Sequence, residues 1–428
     1  MNSHSASKNL SLRNWMQIKS VRSAVYATLA AAVTVGLAAC HDDDFDYPNY
    51  DVPNSVAVID MNGDGVSDIV FAATHIDGGY PNPGFAGVIL QNPGLGQGNG
   101  TFQTANYTSV GYNPSTLAIG NFDGASGPDV VVANANSANV SVLLHDAAIP
   151  NAQLQAARTV TTGGVPYDVA VGDLNNDSLP DIAMASVGGN SNNVVLLMRS
   201  TVPGEFLAPV TLPVSNPATS VAVGDLNGDG RADIAVANVA SGGAGYVTVF
   251  FQQTNGTIGA GTSISAGTEP ISVKIGNLNS DAFPDLVVAN EGPGSNGAGT
   301  SGATVLLQDP ATPRGRFLSG TTYATARGSV CVATGDVNND GFEDIVVANT
   351  GGSRTGTVSV LLQDAMRSGS FLSATNYPGV YEPLGVAIGN LNGDTLPDIA
   401  VADGSRATVM FNSTVMPGTF AGPVRVGR

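Results

Sequence analysis

Seven copies of one nine-residue pattern, starting 52 to 61 positions apart, restrict this chain to folds built by repetition. The first copy reads Asp60-Met61-Asn62-Gly63-Asp64-Gly65-Val66-Ser67-Asp68, and the others occupy residues 121–129, 173–181, 225–233, 277–285, 336–344 and 390–398. In the first copy, carboxylates or carboxamides stand at positions 1, 3, 5 and 9, and a glycine follows the third of them. Oxygen-bearing side chains alternating along so short a loop converge on one point, which suits a hard cation such as Ca²⁺ that takes about six to eight oxygens. The pattern is not an EF-hand, which needs Glu at position 12, where this chain has Phe71. Residues 56–59 and 69–72 are rich in β-branched types, so the loop is expected to join two antiparallel strands.

The fourth repeat shows the whole unit. Strands are expected over 220–224, 234–237, 246–252 and 258–265, with the acidic loop between the first two and Thr254-Asn255-Gly256 as a turn before the last. Four short strands per unit fit a propeller blade, and no window longer than about ten residues keeps a helical period. The expected fold is all-β, a seven-bladed β-propeller of four-stranded antiparallel blades; a parallel β-helix is the structural alternative. Gly-x-Phe, as at 100–102, 204–206, 315–317 and 369–371, is read as the start of each fourth strand. The last such segment, 418–426, is either the seventh blade's own outer strand or a neighbour for the first unit that clasps the ring.

Ahead of the repeats, Arg13, Lys19 and Arg22 precede an apolar run over residues 24–39 that ends Leu37-Ala38-Ala39-Cys40, the order of a secretory signal. A membrane span takes about 20 apolar residues, and here Asp42, Asp43 and Asp44 follow at once. Leu-Ala-Ala-Cys resembles the lipobox of bacterial lipoproteins, which implies cleavage before Cys40 and lipid on its sulfur; plain secretion is the alternative. The chain thus divides into a lipoprotein-type signal peptide (1–39), an acidic tether (40–52) and the propeller (53–428), with Met16 as an alternative start to Met1. The expected location is the outer membrane or cell surface, or else the periplasm or exterior.

Lysine and arginine number 16 against 34 aspartates and glutamates, a net charge of −18, so nucleic acid is disfavoured as a partner. Membrane contact is expected through the N-terminal lipid alone, and the domain is expected to be monomeric. Beyond the signal the only lysine is Lys274. Hydrophobic residues reach 43% beside 54 glycines and 24 prolines, which reads as turn-rich β structure rather than disorder. Cys331 either pairs with Cys40 or, if Cys40 is lipidated, is a buried inert thiol.

The run Val-Ala-x-Gly-Asp-Leu-Asn-x-Asp-x-x-x-Asp-Ile-x-Val-Ala-Asn at 221–238, nearly repeated at 332–349, resembles the FG-GAP (VCBS-type) repeats of integrin alpha-chain propellers and many bacterial exported proteins. The resemblance covers about residues 53–428 and implies a seven-bladed propeller whose loops bind Ca²⁺. By residue it implies ligands at Asp60, Asn62, Asp64, Asp68; Asp173, Asn175, Asp177, Asp181; Asp225, Asn227, Asp229, Asp233; and Asp336, Asn338, Asp340, Asp344. The Asn-led loops, Asn277, Asn279, Asp281, Asp285 and Asn390, Asn392, Asp394, Asp398, keep two carboxylates each and should bind more weakly. The second loop has Ala125 at the third ligand position and is expected to be empty. Integrin-type Gly-Ala-Pro and an inserted adhesion domain are absent from the sequence, which puts integrin-like ligand binding in doubt.

Strand parity puts the acidic loops on one face and the long loops 75–86 and 291–302, with the blade-to-blade links, on the other. Tyr112, Tyr167, Glu269, Arg327, Tyr381 and Glu382 stand on those links and are the candidate ligand contacts. No Gly-x-Ser-x-Gly elbow, His-Glu-x-x-His, Walker loop or Rossmann fingerprint occurs, and only His75 and His145 remain in the repeat region. The leading expectation is a Ca²⁺-stabilised surface scaffold that binds a protein or glycan without turnover. The alternatives are a propeller-borne polysaccharide lyase or hydrolase, with Glu269 and Glu382 as a conceivable carboxylate pair, and a structural envelope component.

Overall fold

The second strand of each repeat is an unbroken apolar run, such as Val130-Val131-Val132-Ala133, and a strand of that kind is buried on both faces. Sheets stacked face to face around an axis meet that demand. The computed structural model describes residues 50–76, 82–93, 99–146, 153–187, 193–240, 242–292, 301–311, 315–351 and 355–427. These residues form seven four-stranded antiparallel sheets, each built from four consecutive strands, as a seven-bladed β-propeller. The inner strands are Tyr50–Ile59, Pro114–Gly120, Val165–Gly172, Ala218–Gly224, Pro270–Gly276, Ser329–Gly335 and Gly385–Gly389. Burial falls from the second strand, as in Asp344–Asn349, to the outer strand, as in Arg158–Thr161, which is mostly exposed.

The core is divided into seven apolar clusters, six of them joining adjacent blades along the chain. The remaining cluster packs Val56, Ile69 and Phe71 of the first blade against Leu391, Ala400 and Val409 of the seventh, and so closes the ring. Position 2 of every acidic hairpin plugs these seams: Met61, Phe122, Leu174, Leu226, Leu278, Val337 and Leu391 are all 0% exposed.

Several boundaries differ from expectation. The first inner strand begins at Tyr50, three residues ahead of the expected entry at Pro53. In the fourth repeat the strands are Ala218–Gly224, Asp233–Val239, Ala244–Phe250 and Thr262–Thr268. Gly-x-Phe does not open the outer strand. Its phenylalanine, as in Phe317 and Phe371, makes an isolated bridge to the residue just past the third strand, and the outer strand starts four residues later. Gly315, Gly369 and Gly418 in that motif hold φ of 86°, 74° and 82°, a left-handed turn that glycine adopts without strain. The C-terminal strand Val424–Val426 pairs with Ala407–Met410, so it is the seventh blade's own outer strand. The expected loop 75–86 is shorter than that, since 75–76 and 84–86 belong to strands, and its residues 77–81, like 293–300 of loop 291–302, the signal segment and Cys40, lie outside the described residues. Cys331 is a free thiol that is half-buried rather than fully buried.

A latch joins the blades on the hairpin face. The residue just past each third strand donates its side-chain N–H to a hairpin carbonyl of the preceding blade. Gln308 Nε2 donates to Leu226 O at 2.8 Å, Gln252 Nε2 to Asp173 O at 2.9 Å and Asn412 Nδ2 to Val337 O at 2.6 Å. Arg199 reaches Phe122 O, Gln363 reaches Leu278 O, and Gln91 reaches Leu391 O across the closure. His145 holds the equivalent place in the second blade, and its imidazole turns to Ser126 O instead. Gln308→Leu keeps the volume but orphans a buried carbonyl. It is expected to cost about 1–3 kcal/mol, read as a lower urea midpoint with an unchanged slope.

Candidate functional site

Position 9 of each hairpin is an aspartate with 0% exposure: Asp68, Asp129, Asp181, Asp233, Asp285, Asp344 and Asp398. Each ties its hairpin to the third strand through two backbone N–H donors. Asp344 accepts from Val337 at 3.0 Å and Gln363 at 2.8 Å, and Asp68 accepts from Met61 and Gln91, both at 2.9 Å. Burial pushes the Asp344 carboxyl up to about 7 against those donors, and the carboxylates of Asp340 and Asp336 push it further. Asp68 is likewise pushed up to about 7, by burial first and then by Asp64 and Asp60.

Position 1 separates two kinds of hairpin. In the Asp-led loops its carboxylate gathers loop N–H groups: Asp60 accepts from Gly63 at 2.7 Å and Gly65 at 2.8 Å, Asp225 from Gly228 and Gly230 at 2.7 Å, and Asp336 from Gly341 at 2.8 Å. Asp173 does the same with Ser178 at 2.7 Å. In the Asn-led loops the amide donates across the turn to the position 5 carbonyl: Asn277 to Asp281 O at 2.8 Å, Asn121 to Ala125 O at 2.7 Å, and Asn390 to Asp394 O. At position 3 the amides of Asn62, Asn175, Asn279, Asn338 and Asn392 donate to the position 5 carboxylates of Asp64, Asp177, Asp281, Asp340 and Asp394. In the fourth loop Arg231 forms an ion pair with Asp229. As they stand, no three His, Cys, Asp or Glu side chains among the described residues gather closely enough to hold a metal. Two ligand-position oxygens, Asn227 Oδ1 and Asn277 Oδ1, are buried without a hydrogen-bond donor. The donor set is made only of hard oxygens, so the residues fit Ca²⁺ in chemistry.

The opposite face is centred on the channel. Six inner strands carry a β-bulge near their entry that skips Asn54, Ser115, Tyr167, Thr219, Ile271 or Val330. A bulge re-aims the residues beside it. Just after it come Ser55, Thr116, Asp168, Ser220, Ser272 and Cys331, with Gly385 as the seventh-blade equivalent. Their oxygens form a collar, each accepting an N–H from the next blade: Ser55 from Leu117 (3.3 Å), Thr116 from Val169 (3.3 Å), Asp168 from Val221 (3.0 Å), Ser220 from Val273 (3.1 Å) and Ser272 from Val332 (3.4 Å). Inside the collar is a cavity of about 150 Å³ lined by all seven blades.

Of the six ligand-face candidates only Tyr167 lines that cavity, and it is 7% exposed. Tyr112 and Arg327 are exposed on the links, while Glu269, Tyr381 and Glu382 are half-buried there. Glu269 and Glu382 hold φ of 54° and 44°, as Asn113 does at 47°, because each occupies the same left-handed turn between blades. Their equivalence is therefore one of backbone, and neither lines the channel cavity. His75 is on the second strand, not in a loop, with Nδ1 at 2.7 Å from Asp51 Oδ1 and its ring edge-on to Phe85. The collar, Lys274 and the glutamine latch escaped sequence reasoning, although Leu-Leu-Gln-Asp at both 306–309 and 361–364 marked the latch.

Seven blades, each with an acidic hairpin after its inner strand, define a β-propeller with repeated acidic hairpins. The FG-GAP-like repeat family matches residues 173–236, 277–347 and 336–401. The chain is an FG-GAP repeat β-propeller. A search of curated proteins returns no match.

Proposed function

We propose that the protein is an exported, lipid-anchored, Ca²⁺-stabilised propeller that serves as a non-catalytic binding scaffold, meeting a protein or glycan with the face opposite the acidic hairpins. The observation that supports this reading is the contrast between the faces. The hairpin face repeats one chemistry seven times, whereas the link face varies from blade to blade and surrounds the cavity. Variable loops on a rigid frame are where binding usually resides.

In this reading, Ca²⁺ is held by positions 1, 3, 5 and 9 of the six complete hairpins and supplies positive charge between crowded carboxylates. Binding requires the position 1 side chains to turn from loop N–H groups toward a common centre. The fourth loop must also release Arg231 from Asp229. Ala125 leaves the second loop without an oxygen ligand at position 5, so it is not counted among the complete hairpins.

The test is a screen of the full chain against glycans and envelope or host proteins in saturating Ca²⁺. Joint Tyr112→Ala and Arg327→Ala substitution is expected to weaken the captured partner by about tenfold, as loss of an aromatic and an arginine anchor does. Asp64→Ala on the other face is expected to leave it unchanged. The reverse pattern, with both variants folded, contradicts the assignment of faces.

A further inference from the structure

Position by position, the channel walls are nearly uniform, and the exceptions are chemical. Two residues on from the collar, six blades place Ala57, Ala118, Ala170, Ala222, Ala333 and Ala387, each opposite the same point of its second strand. The fifth blade places Lys274 there. It lines the cavity, it is half-buried, and no ion pair holds it among the described residues. Glu343 of the sixth blade lies against Gly276, two residues further along the channel, and does not pair with it.

Among the described residues, the only carboxylate lining the cavity is Asp168. Its oxygens are already engaged, accepting from Val169 N at 2.9 Å, Ser220 Oγ at 2.6 Å and Val221 N at 3.0 Å. By contrast, Ser55, Thr116 and Ser272 spend only their acceptor side on the collar. Their hydroxyl protons and the Lys274 ammonium are donors facing a cavity with little acceptor left. One acceptor stands apart: Asn113 lines the cavity, is 6% exposed, and keeps Oδ1 buried with no donor. It belongs to the second blade, across the channel from the fifth.

We infer that the cavity binds a sugar acid, its carboxylate on Lys274 and the hydroxyls of Ser55, Thr116 and Ser272, and one of its own hydroxyls donating to Asn113 Oδ1. An ammonium pairs with a carboxylate through charge-assisted hydrogen bonds, and a buried lone acceptor rewards a ligand that brings a donor. A simple carboxylate lacks the second contact and a neutral sugar lacks the first. The inference rests on the link face being the binding face, and it specifies what enters the channel there.

Titration calorimetry of the full chain with glucuronate, glucose, acetate and trigalacturonate tests it, with Lys274 protection from amine acylation read by peptide mass spectrometry. Glucuronate is expected to bind and protect Lys274, with glucose and acetate at least about tenfold weaker. Trigalacturonate binding as tightly as glucuronate assigns the acid to a polymer end, and glucuronate alone assigns it to a free acid. Lys274→Ala gives the fifth blade the residue of its six sisters, so the fold should survive while glucuronate affinity falls by about tenfold or more. Asn113→Ala should lower glucuronate affinity and leave acetate unaffected. Equal affinity for glucuronate and glucose, or full glucuronate binding by folded Lys274→Ala, overturns the inference. A macromolecule that binds the link face equally well in Lys274→Ala would uphold the broader reading even then.

Discussion

Chelation of Ca²⁺ with EGTA is expected to lower the melting temperature by about 3–10 °C, and excess Ca²⁺ to restore it. Extracellular Ca²⁺ modules bind at about 10⁻⁴ to 10⁻³ M, so about 1 mM Ca²⁺ stabilises by roughly 0.4 to 1.4 kcal/mol per filled site. Over six complete hairpins the sum is roughly 2 to 8 kcal/mol, on the scale of a whole domain's stability. Differential scanning calorimetry in chelator and in Ca²⁺ reads the effect. The Asn-led loops should contribute least, because their first residue lacks a charge and its amide already spans the turn to the position 5 carbonyl.

Asp344→Ala is expected to destabilise by about 2–6 kcal/mol whether or not Ca²⁺ is present. Its two oxygens accept the N–H groups of Val337 and Gln363 in a site with 0% exposure. Truncation leaves both donors buried and unpaired, and frees the hairpin from the third strand where Gln363 latches the fifth blade. The control is Asp336→Ala, whose partners in the same loop, Asp340 N and Gly341 N, are exposed and can turn to water. Its cost should appear mainly in Ca²⁺ and nearly vanish in EGTA. Urea unfolding of the two variants in both buffers separates a cation ligand from a hydrogen-bond hub.

Much of this was legible in the residues. The spacing of the hairpins counted the blades, and the apolar runs after each position 9 aspartate located the doubly buried second strands. The channel was not legible, for a physical reason. Period-two parity counted back from the hairpin holds only to the bulge, where one skipped residue reverses which side chain faces the axis. Tyr112 and Arg327 lie beyond the bulge and turn out to be exposed, whereas Lys274 lies inside it and faces the cavity. The dual role of position 9 was hidden too, since an acidic ligand and a backbone acceptor have the same letter in the sequence. Gln91, Gln252, Gln308 and Gln363 could not be matched to their acceptors from the sequence, because those partners lie 79 to 300 positions away along the chain.

The central claim, that the acidic hairpins are cation sites holding a rigid wheel whose other face binds, is tested most directly by counting bound Ca²⁺. Native mass spectrometry of the full chain titrated to about 1 mM Ca²⁺ should show four ions added first, from the Asp-led hairpins, and as many as six at saturation. Asp60→Ala should remove one ion and Asn121→Ala none. A chain that takes up no Ca²⁺, or that loses none on Asp60→Ala, contradicts the account.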